Sequence, residues 1–250
     1  MTSTLVPDPV LASGSGDGAS ATPRGDLSRR ERQELFTLLD EHFDGVDAAQ
    51  FERDLDEKDW VLRIRRDGRL VGFTTLQVYA VGTLGARCNV VYSGDTIVAP
   101  EAWGSPVLAR GWIALVRALQ GAGSAEPWYW LLLSSGFRTY RFLPVFWREF
   151  WPRHDAEPSA AQAALLETLA RGRFGSAYDA ARGVVRFACP QRLRPALAAV
   201  PDGRDDDPHI RFFLERNPGH AAGDELVCLT SLGDDNLTAA GARMVRGLRA

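Results

Sequence analysis

Helical spacing of apolar side chains first becomes visible after Ser28. Ser28 and Glu31 have the S-x-x-E form of a capping box. Apolar residues then follow at helical intervals, at Leu35, Leu38 and Leu39. The pattern predicts a helix from Ser28 to about Phe43, and a second, shorter helix is expected over residues 48–58.

The hydrophobic pattern then changes from helical to alternating. Residues 60–65 and 70–79 predict two strands joined at an Asp-Gly turn, and residues 89–98 predict a third strand. Gly94 lies inside this third strand, where a glycine indicates a bulge or a close approach of backbone. The expected unit is a β-hairpin that is followed along the chain by a third strand.

One apolar face marks the next helix. Its members are Leu108, Trp112, Leu115, Val116 and Leu119. We expect Ser105 as the N-cap, Pro106 at the first helical position and Gly121 at the end. The uninterrupted apolar run at residues 128–133 then predicts a buried central strand.

Aromatic residues are concentrated in one stretch, since ten of the 24 fall between Trp128 and Trp151. Residues 138–151 predict a helix that is interrupted at Pro144. On such a helix two adjacent i, i+4 pairs would form, Phe146 with Phe150 and Trp147 with Trp151. A helix that is apolar over so wide an arc needs a cover. We expect the C-terminal segment first, a second subunit in a homodimer next, and an apolar acyl chain last.

The two ends of the chain have different compositions. Residues 11–25 are small, polar and rich in Gly, so residues 1–25 are expected to be a flexible tail. In the second half we expect helices at 160–171 and 238–248 and strands at 184–188 and 225–231. We interpret residues 26–250 as a single domain, with a core at 28–151 and a C-terminal extension at 152–250 that completes the sheet.

Composition narrows the function classes. The chain has 250 residues, 45% of them hydrophobic, and a formal net charge of −3, which does not indicate a nucleic-acid-binding surface. No run is long and apolar enough to predict a membrane-spanning helix. Its three cysteines are odd in number and lie far apart, which favours reduced thiols in the cytoplasm and gives no metal site.

The segment before the third helix could bind an anion. The first N–H groups of a helix lack internal partners, and the helix dipole favours negative charge. Gly104 would let a ligand approach the backbone, and Ser105 adds a hydroxyl group. The arrangement suits a phosphate, but it is also typical of an ordinary capped helix.

At this point the chain resembles the GCN5-related N-acetyltransferase (GNAT) superfamily. The resemblance rests on the element order over residues 28–151 and on the segment Thr96–Gly104, which is similar to the family's fourth strand and pyrophosphate loop. It implies an α/β (α+β) fold with a mixed, mostly antiparallel central sheet flanked by helices. It also implies acyl-CoA as co-substrate, with no metal.

The resemblance assigns roles to several residues. The backbone of Ile97 and Val98 would pair with pantetheine, and Trp103, Gly104 and Ser105 would hold the pyrophosphate. The strand at residues 128–134 would splay away from the third strand, and Ser134 at its end would touch the pantetheine.

Three features depart from the family pattern. Its loop usually reads Arg/Gln-x-x-Gly-x-Gly/Ala, whereas this chain has Glu101, Gly104 and Pro106, so that only the central glycine matches. The family's first strand is not visible before Ser28. The region after Trp151 is longer than two closing strands require.

Two residues are the candidates for acyl-transfer chemistry. Asp95, beside Gly94, would take the proton of the attacking amine, and its other interpretation is a local cap or ion pair. Tyr140 follows the fourth strand, where the family often has a tyrosine acid, and its other interpretation is a core residue. Tyr92 has the same parity as Gly94, so we expect it to face away from Asp95.

The negative charge of residues 40–59 favours a cationic acceptor. Residues 40–59 contain nine acidic residues against Arg53 and Lys58, beside the entrance through which the family's amines arrive. The alternative interpretation is a solvated helix face. We therefore predict transfer of an acyl group from acyl-CoA to an amine of a small molecule or peptide by direct attack. The alternative is a non-catalytic GNAT-like module that binds an apolar ligand or a protein in the same cleft.

Two other site types find weaker support. A hydrolase triad could be composed of Ser134 or Ser135 with His154 and Asp155, but the segment around these serines lacks the G-x-S-x-G elbow. The carboxylates at 205–207, which precede His209, indicate a solvated loop rather than a metal site.

Overall fold

The computed structural model describes residues 11–12, 18–83, 86–121, 125–204 and 206–246. The strands are β1 (Leu11–Ala12), β2 (Gly18–Pro23), β3 (Phe43–Asp44), β4 (Trp60–Arg66), β5 (Arg69–Thr83), β6 (Ala86–Val98), β7 (Trp128–Ser134), β8 (Phe150–Trp151), β9 (Tyr178–Asp179), β10 (Val184–Val185), β11 (Arg192–Leu193) and β12 (Glu225–Ser231). The helices are α1 (Arg29–His42), α2 (Ala48–Asp56), α3 (Val107–Gln120), α4 (Phe137–Tyr140), α5 (Phe142–Phe146), α6 (Ala160–Phe174), α7 (Pro195–Ala198), α8 (Pro208–Arg216) and α9 (Ala239–Arg246).

One large sheet runs through the molecule in the order β1-β2-β4-β5-β6-β7-β12-β10-β9, and β8 pairs with β12 beside this path. The pairing of β6 with β7 is parallel, and the other pairs of this sheet are antiparallel. Helices flank the sheet. The expected fold class, mixed α/β with a mostly antiparallel central sheet, is confirmed.

The amino-terminal prediction is wrong for residues 18–25. Gly18–Pro23 forms a strand that pairs antiparallel with β4, so a strand does precede α1. Its small residues have a packing reason: a Cβ added to Gly111 of α3 would lie 2.6 Å from the Cβ of Ala19. Composition alone indicated a tail because small side chains bury little surface, yet here they admit a helix at close range. The rest of the predicted tail, residues 1–10 and 13–17, lies outside the described residues.

The predictions for α1, β4 and β5 are confirmed. Ser28 and Glu31 form the complete capping box. Burial of Leu35, Leu38 and Leu39 follows the predicted spacing. Asp67 (φ 50°) and Gly68 (φ 76°) form the turn between β4 and β5.

The bulge predicted at Gly94 is also confirmed. Thr74 pairs with Thr96 and Leu76 pairs with Ser93, so two residues of β6, Gly94 and Asp95, stand opposite Thr75 alone. An extra residue reverses the alternation of side chains along the strand. This reversal decides which residues of β6 share a face.

The start of α3 differs slightly from the prediction. The helix begins at Val107 with Pro106 at the cap position, and it ends at Gly121 as expected. Ser105 precedes the cap and accepts a hydrogen bond from the Val107 N–H at 3.4 Å. Because Pro106 already occupies the cap position, Ser105 lies one residue outside the role expected for it.

The helix predicted at residues 138–151 is wrong over its second half. Only α4 and α5 are helical, and Phe150–Trp151 forms β8, which pairs with β12. Pro144 lies in the first turn of α5, where its missing N–H has no helical partner to lose. The two i, i+4 aromatic pairs therefore do not exist, although Trp147 and Trp151 are both buried.

The C-terminal segment contributes β9, β10 and β12 to the large sheet. Strand β12 pairs with the full length of β7, which places β7 in the interior of the sheet. The extension also contains α8, which the sequence did not predict; Asp207 caps it by accepting hydrogen bonds from the His209 and Ile210 N–H groups. Strand β11 crosses to the opposite edge of the cleft and pairs with β3.

The sheet has two unlike faces, which we name the aromatic face and the cleft face. On the aromatic face, Trp112, Trp130 and Trp147 pack together. Helices α3, α5 and α9 cover it, so the C-terminal segment is the cover that we expected first. Helices α1 and α2 pack on one part of the cleft face and α6 on another.

Candidate active site

The cleft is an opening between β6 and β7. The two strands pair in parallel from Asn89 to Ser93, and beyond Ser93 and its partner Leu132 they separate, so the predicted splay is confirmed. A cavity of about 870 Å³ occupies the opening, and Gly94–Val98 and Leu133 line it. The carboxyl ends of α2 and α6, the start of α3 and residues 187–204 form its other walls.

Part of the β6 backbone faces this cleft. The Ala99 N–H donates to the Val71 carbonyl, and Ile97 pairs with Phe73. Because backbone groups of an antiparallel strand point alternately toward and away from the partner, Val98 directs its N–H and carbonyl into the cleft. The backbone of Val98 therefore faces the cleft, as the resemblance implied. The backbone of Ile97 instead forms its hydrogen bonds with β5.

The loop that precedes α3 has few backbone N–H groups left to donate to a ligand. Trp103 donates its N–H to the Pro100 carbonyl at 3.1 Å, and Ser105 donates its N–H to the Ala102 carbonyl at 3.2 Å. The Trp103 indole Nε1 also donates to the Val98 carbonyl at 2.8 Å. Gly104 adopts φ +81°, and the space around its Cα is open. All three residues expected in this loop line the cleft: Trp103, Gly104 and Ser105. Of these, only Gly104 leaves room for a ligand to approach the backbone.

Arg138 brings positive charge to the same end of the cleft. Its guanidinium lies 4.0 Å from the centre of the Trp103 ring, a cation–π arrangement. It also donates to the carbonyls of Leu197 and Ala199 and so ties the C-terminal extension to the cleft wall. The sequence alone did not assign Arg138 to the site.

Asp95 is brought to the cleft by the bulge. The extra residue places Tyr92 and Asp95 on the same face, and both line the cavity, so the expectation that they face opposite ways is wrong. Burial raises the pKa of Asp95, Lys58 lowers it and Asp54 raises it. The carboxyl group is thus half-buried at the floor of the cleft, and its proton affinity is increased.

Glu225 is the functional candidate that sequence reasoning missed. It is the first residue of β12 and lines the cleft with Asp95. Burial and the negative charge of Asp95 raise its pKa to about 8, while a hydrogen bond from Ser135 opposes the rise. A carboxyl group that titrates near neutral pH suits proton transfer. Its only sequence signal was a carboxylate at the start of an otherwise apolar strand.

Lys58 completes a charged group at the cleft floor. It is only 5% exposed, and its Nζ donates to the Asp54 carbonyl at 2.7 Å. Burial lowers its pKa and the charge of Asp95 raises it. We call Lys58, Asp95 and Glu225 the cleft triad.

Two predicted site residues are not in the cleft. Tyr140 is fully buried and donates its hydroxyl hydrogen to the Pro152 carbonyl at 2.9 Å. Ser134 is fully buried and donates to the Gly136 carbonyl. Alternation along β7 turns Ser134 away from the cleft and gives that position to its neighbour Ser135.

Candidate metal ligands and membrane spans were sought over the described ranges. Within them, His, Cys, Asp and Glu side chains do not gather in any group of three or more suited to a metal ion. No helix among these residues has the length and hydrophobicity needed to cross a bilayer.

Comparisons with known proteins return only distant structural likeness. No protein-family model and no curated protein matches the sequence. A probable N-acyltransferase of unknown function from Enterococcus faecalis V583 aligns at 16% identity over 63% of this chain and 43% of its own, with a TM-score of 0.40. Saccharomyces cerevisiae N-myristoyltransferase with bound myristoyl-CoA aligns at 15% identity over 47% and 31%, with a TM-score of 0.35.

A third solved structure is a GCN5-related N-acetyltransferase from Anabaena variabilis ATCC 29413. It aligns at 18% identity over 50% of this chain and 31% of its own, with a TM-score of 0.38. In all three cases this chain spans less than half the length of the matched protein. Likeness of this size carries no argument about activity, which has to rest on the cleft itself.

Proposed function

We propose that the protein transfers an acyl group from acyl-CoA to an amine. The observation that carries this proposal is the opening between β6 and β7 beyond Ser93 and Leu132, with two carboxyl groups, Asp95 and Glu225, at its floor. A splayed pair of parallel strands exposes backbone groups to an extended ligand, and paired carboxyl groups can both accept and supply protons.

The donor would lie along the edge of β6. The Val98 N–H faces the opening, as expected for a strand edge that could pair with an amide-containing ligand. At the far end, Gly104 leaves room for close approach, and Arg138 supplies positive charge for a phosphate group. The Arg138 guanidinium would replace, as a phosphate ligand, the backbone N–H groups of Trp103 and Ser105, which already donate within the loop.

The carboxyl groups would divide the proton transfers. Asp95 would accept the proton that the ammonium group of the acceptor must lose before its nitrogen attacks the thioester carbon. As the C–N bond forms and the C–S bond breaks, Glu225 would give its proton to the sulfur and regain one from the new amide nitrogen. The proton held by Asp95 then passes to solvent, so the step releases one amide, one thiol and one proton.

The acceptor would enter beside α2. Asp54 and Glu57 at the end of that helix line the cleft, and their charge favours a cationic amine. The free thiols of Cys88, Cys189 and Cys228 suit the cytoplasm, where we propose that the reaction takes place.

Titration of the purified protein with CoA and several acyl-CoAs by calorimetry tests donor binding. We expect heat and a rise in Tm with at least one of them. Arg138→Gln should weaken that binding about tenfold or more, because it removes a charge-assisted hydrogen bond. Arg148→Gln, outside the cleft lining, is the control and should leave binding unchanged.

Turnover with a panel of amines tests the chemistry. Asp95→Asn and Glu225→Gln should each lower kcat by about 10²-fold or more while acyl-CoA binding is kept. Binding with full turnover in both variants would remove the carboxyl groups from the mechanism.

The engaged loop amides favour a second candidate function. The backbone N–H groups of Trp103 and Ser105 donate to carbonyls within the loop. The Trp103 indole N–H donates to the Val98 carbonyl. A non-catalytic module that holds a different apolar ligand or a protein in this cleft fits that observation. No heat with any CoA derivative would favour this function over acyl transfer.

A further inference from the structure

Lys58 is the only lysine of the chain; the other 28 of its 29 basic residues are arginines. It is also the basic residue that is buried most deeply among those described, at 5% exposure. The two side chains are not equivalent, since lysine is compact and can lose its proton, whereas arginine is broad and stays charged. The one lysine therefore occupies the place where a compact, titratable cation fits.

The β6 bulge creates the space that Lys58 occupies. A Cβ added to Gly94 would lie 2.9 Å from the Lys58 Cε and 3.0 Å from the Thr75 Oγ1. A side chain at position 94 would therefore require the end of the lysine side chain to shift. The same bulge turns Asp95 into the cleft, so one irregularity brings both charges to one place.

Charged and titratable groups face Lys58 from three elements. They are Asp54 and Glu57 at the end of α2, Tyr92 and Asp95 on β6, and Arg173 on α6. Glu57 is engaged by Arg173, whose guanidinium lies 2.6 Å from its carboxylate. The Asp54 contact uses the backbone carbonyl. Asp95, whose charge raises the pKa of Lys58, is thus the half-buried carboxylate that remains to balance the ammonium.

A buried cation and two half-buried carboxyl groups that line the same cleft cannot all ionise independently. An isolated buried charge is costly, so a buried ammonium favours one carboxylate beside it, and that carboxylate disfavours a second negative charge nearby. The cleft triad then carries one proton on the carboxyl pair. Glu225 lines the cleft with Asp95 and forms no ion pair among the described residues, so Glu225 is the group that holds this proton.

Resting on the proposed function, we propose that Lys58 is a positioning residue for the carboxyl pair: its ammonium group holds Asp95 ionised and thereby leaves the shared proton on Glu225. The pair would then enter the reaction as one base and one acid. The competing role is purely structural, since the bond from Nζ to the Asp54 carbonyl also caps the end of α2.

Side-chain carboxyl titration by NMR separates these roles without any need for turnover. The measurement follows the Asp95 and Glu225 signals, assigned with Asp95→Asn and Glu225→Gln, in the full chain and in Lys58→Met. We expect the apparent pKa of Asp95 to rise by about one unit or more in Lys58→Met, and that of Glu225 to fall.

Arg173→Gln is the matched control. It removes a neighbouring cation that is paired with Glu57, and it should leave both carboxyl titrations unchanged. Unchanged titrations in a folded Lys58→Met protein would overturn the proposal and leave Lys58 as a helix cap. If Lys58→Met does not fold, Lys58→Gln, which removes the charge but keeps a polar end group, takes its place, and the same two outcomes decide.

Activity then distinguishes this inference from the proposed function. If acyl transfer is found, the acidic limb of the kcat/KM profile should move up by about one pH unit in Lys58→Met, which a helix cap would not cause. If no acyl-CoA binds, acyl transfer fails, but the carboxyl titrations still decide the role of Lys58.

Discussion

The aromatic face and the cleft face belong to one sheet but treat polar groups in opposite ways. On the aromatic face, Ser93 is fully buried and accepts hydrogen bonds from the indoles of Trp112 and Trp130 at 3.2 and 2.9 Å. Asn236 is likewise saturated, since its Nδ2 donates to the Glu149 carbonyl and to two further acceptors. The buried polar groups of Ser93 and Asn236 are therefore matched to partners, which is what stable cores require.

The cleft face contains charges and unmatched atoms. The cleft triad lies there, and three successive side chains on that face of β5, those of Thr75, Gln77 and Tyr79, have buried oxygens without a hydrogen-bond partner among the described residues. Unsatisfied buried groups reduce stability and are found where function requires them. The comparison teaches that this protein stabilises its fold on one face and keeps its chemistry on the other.

Trp147→Ala should show the largest stability effect, because it empties the middle of the aromatic face. Trp147 is 3% exposed and its ring centre lies 5.0 Å from that of Trp130. We expect a loss of about 3–5 kcal/mol in the free energy of unfolding, measured by urea titration. Trp103→Ala, at 39% exposure on the cleft side, is the matched control and should lose about 1 kcal/mol or less. Equal losses would break the division between the two faces.

Ser93→Ala and Thr75→Val compare one buried hydroxyl from each face. Removing the Ser93 hydroxyl leaves two buried indole N–H groups without an acceptor, so we expect a loss of about 2–3 kcal/mol. The Thr75 hydroxyl has no partner among the described residues, so Thr75→Val should be neutral or stabilising. Chemical denaturation of both variants measures the difference, and a destabilised Thr75→Val would show that this hydroxyl is matched after all.

Glu225→Gln should have the smallest effect, which appears as a pH dependence. Burial raises the pKa of Glu225 from 4.5 to about 8, so the folded protein holds a proton that the unfolded chain releases between these values. The stability due to this proton is complete below about pH 4.5 and is lost as the pH rises through about 8. Relative to Glu225→Gln, the wild type should lose about 1–2 kcal/mol between acidic and alkaline pH, less than the full linkage energy of this shift, because Glu225 lines an open cleft where solvent screens its charge.

Glu31→Gln gives a comparison of opposite sign on α1. Hydrogen bonds from Ser28 and the neighbouring Arg63 hold the pKa of Glu31 at about 2. Its stabilising contribution is therefore present above about pH 4.5 and is lost as the pH falls toward 2. Stability profiles of both variants that ran parallel to the wild type would show that neither carboxyl group is perturbed.

Most of the elements could be predicted because their signals are local. The capping box at Ser28, the turn at Gly68 and the bulge at Gly94 each depend on neighbouring residues and on backbone sterics. The helix predicted at residues 138–151 failed for a nonlocal reason. Phe150 and Trp151 have apolar spacing that suits a helix, but the pairing partner offered by β12 makes them a strand.

The candidate site divides in the same way. Asp95, Val98 and Gly104 could be placed in the cleft because each lies in or next to a strand end or a bulge that has its own sequence signal. Tyr140 could not be excluded in advance, since only the folded chain provides the Pro152 carbonyl that binds its hydroxyl. Glu225 lies 130 residues after Asp95 along the chain, and no spacing rule joins them.

The sequence by itself determined the alternation of β4 and β5 and the turn between them, and it marked Gly94 as a bulge or a close approach of backbone, because these depend on side-chain period and on the conformational freedom of single glycines. The tertiary structure alone decided that Lys58, Asp95 and Glu225 share one cleft floor and that Ser93 and Thr75 have opposite surroundings. Burial and pairing arise from segments far apart in sequence. The proton affinities that give this cleft its chemistry therefore exist only once α2, β6 and β12 have come together.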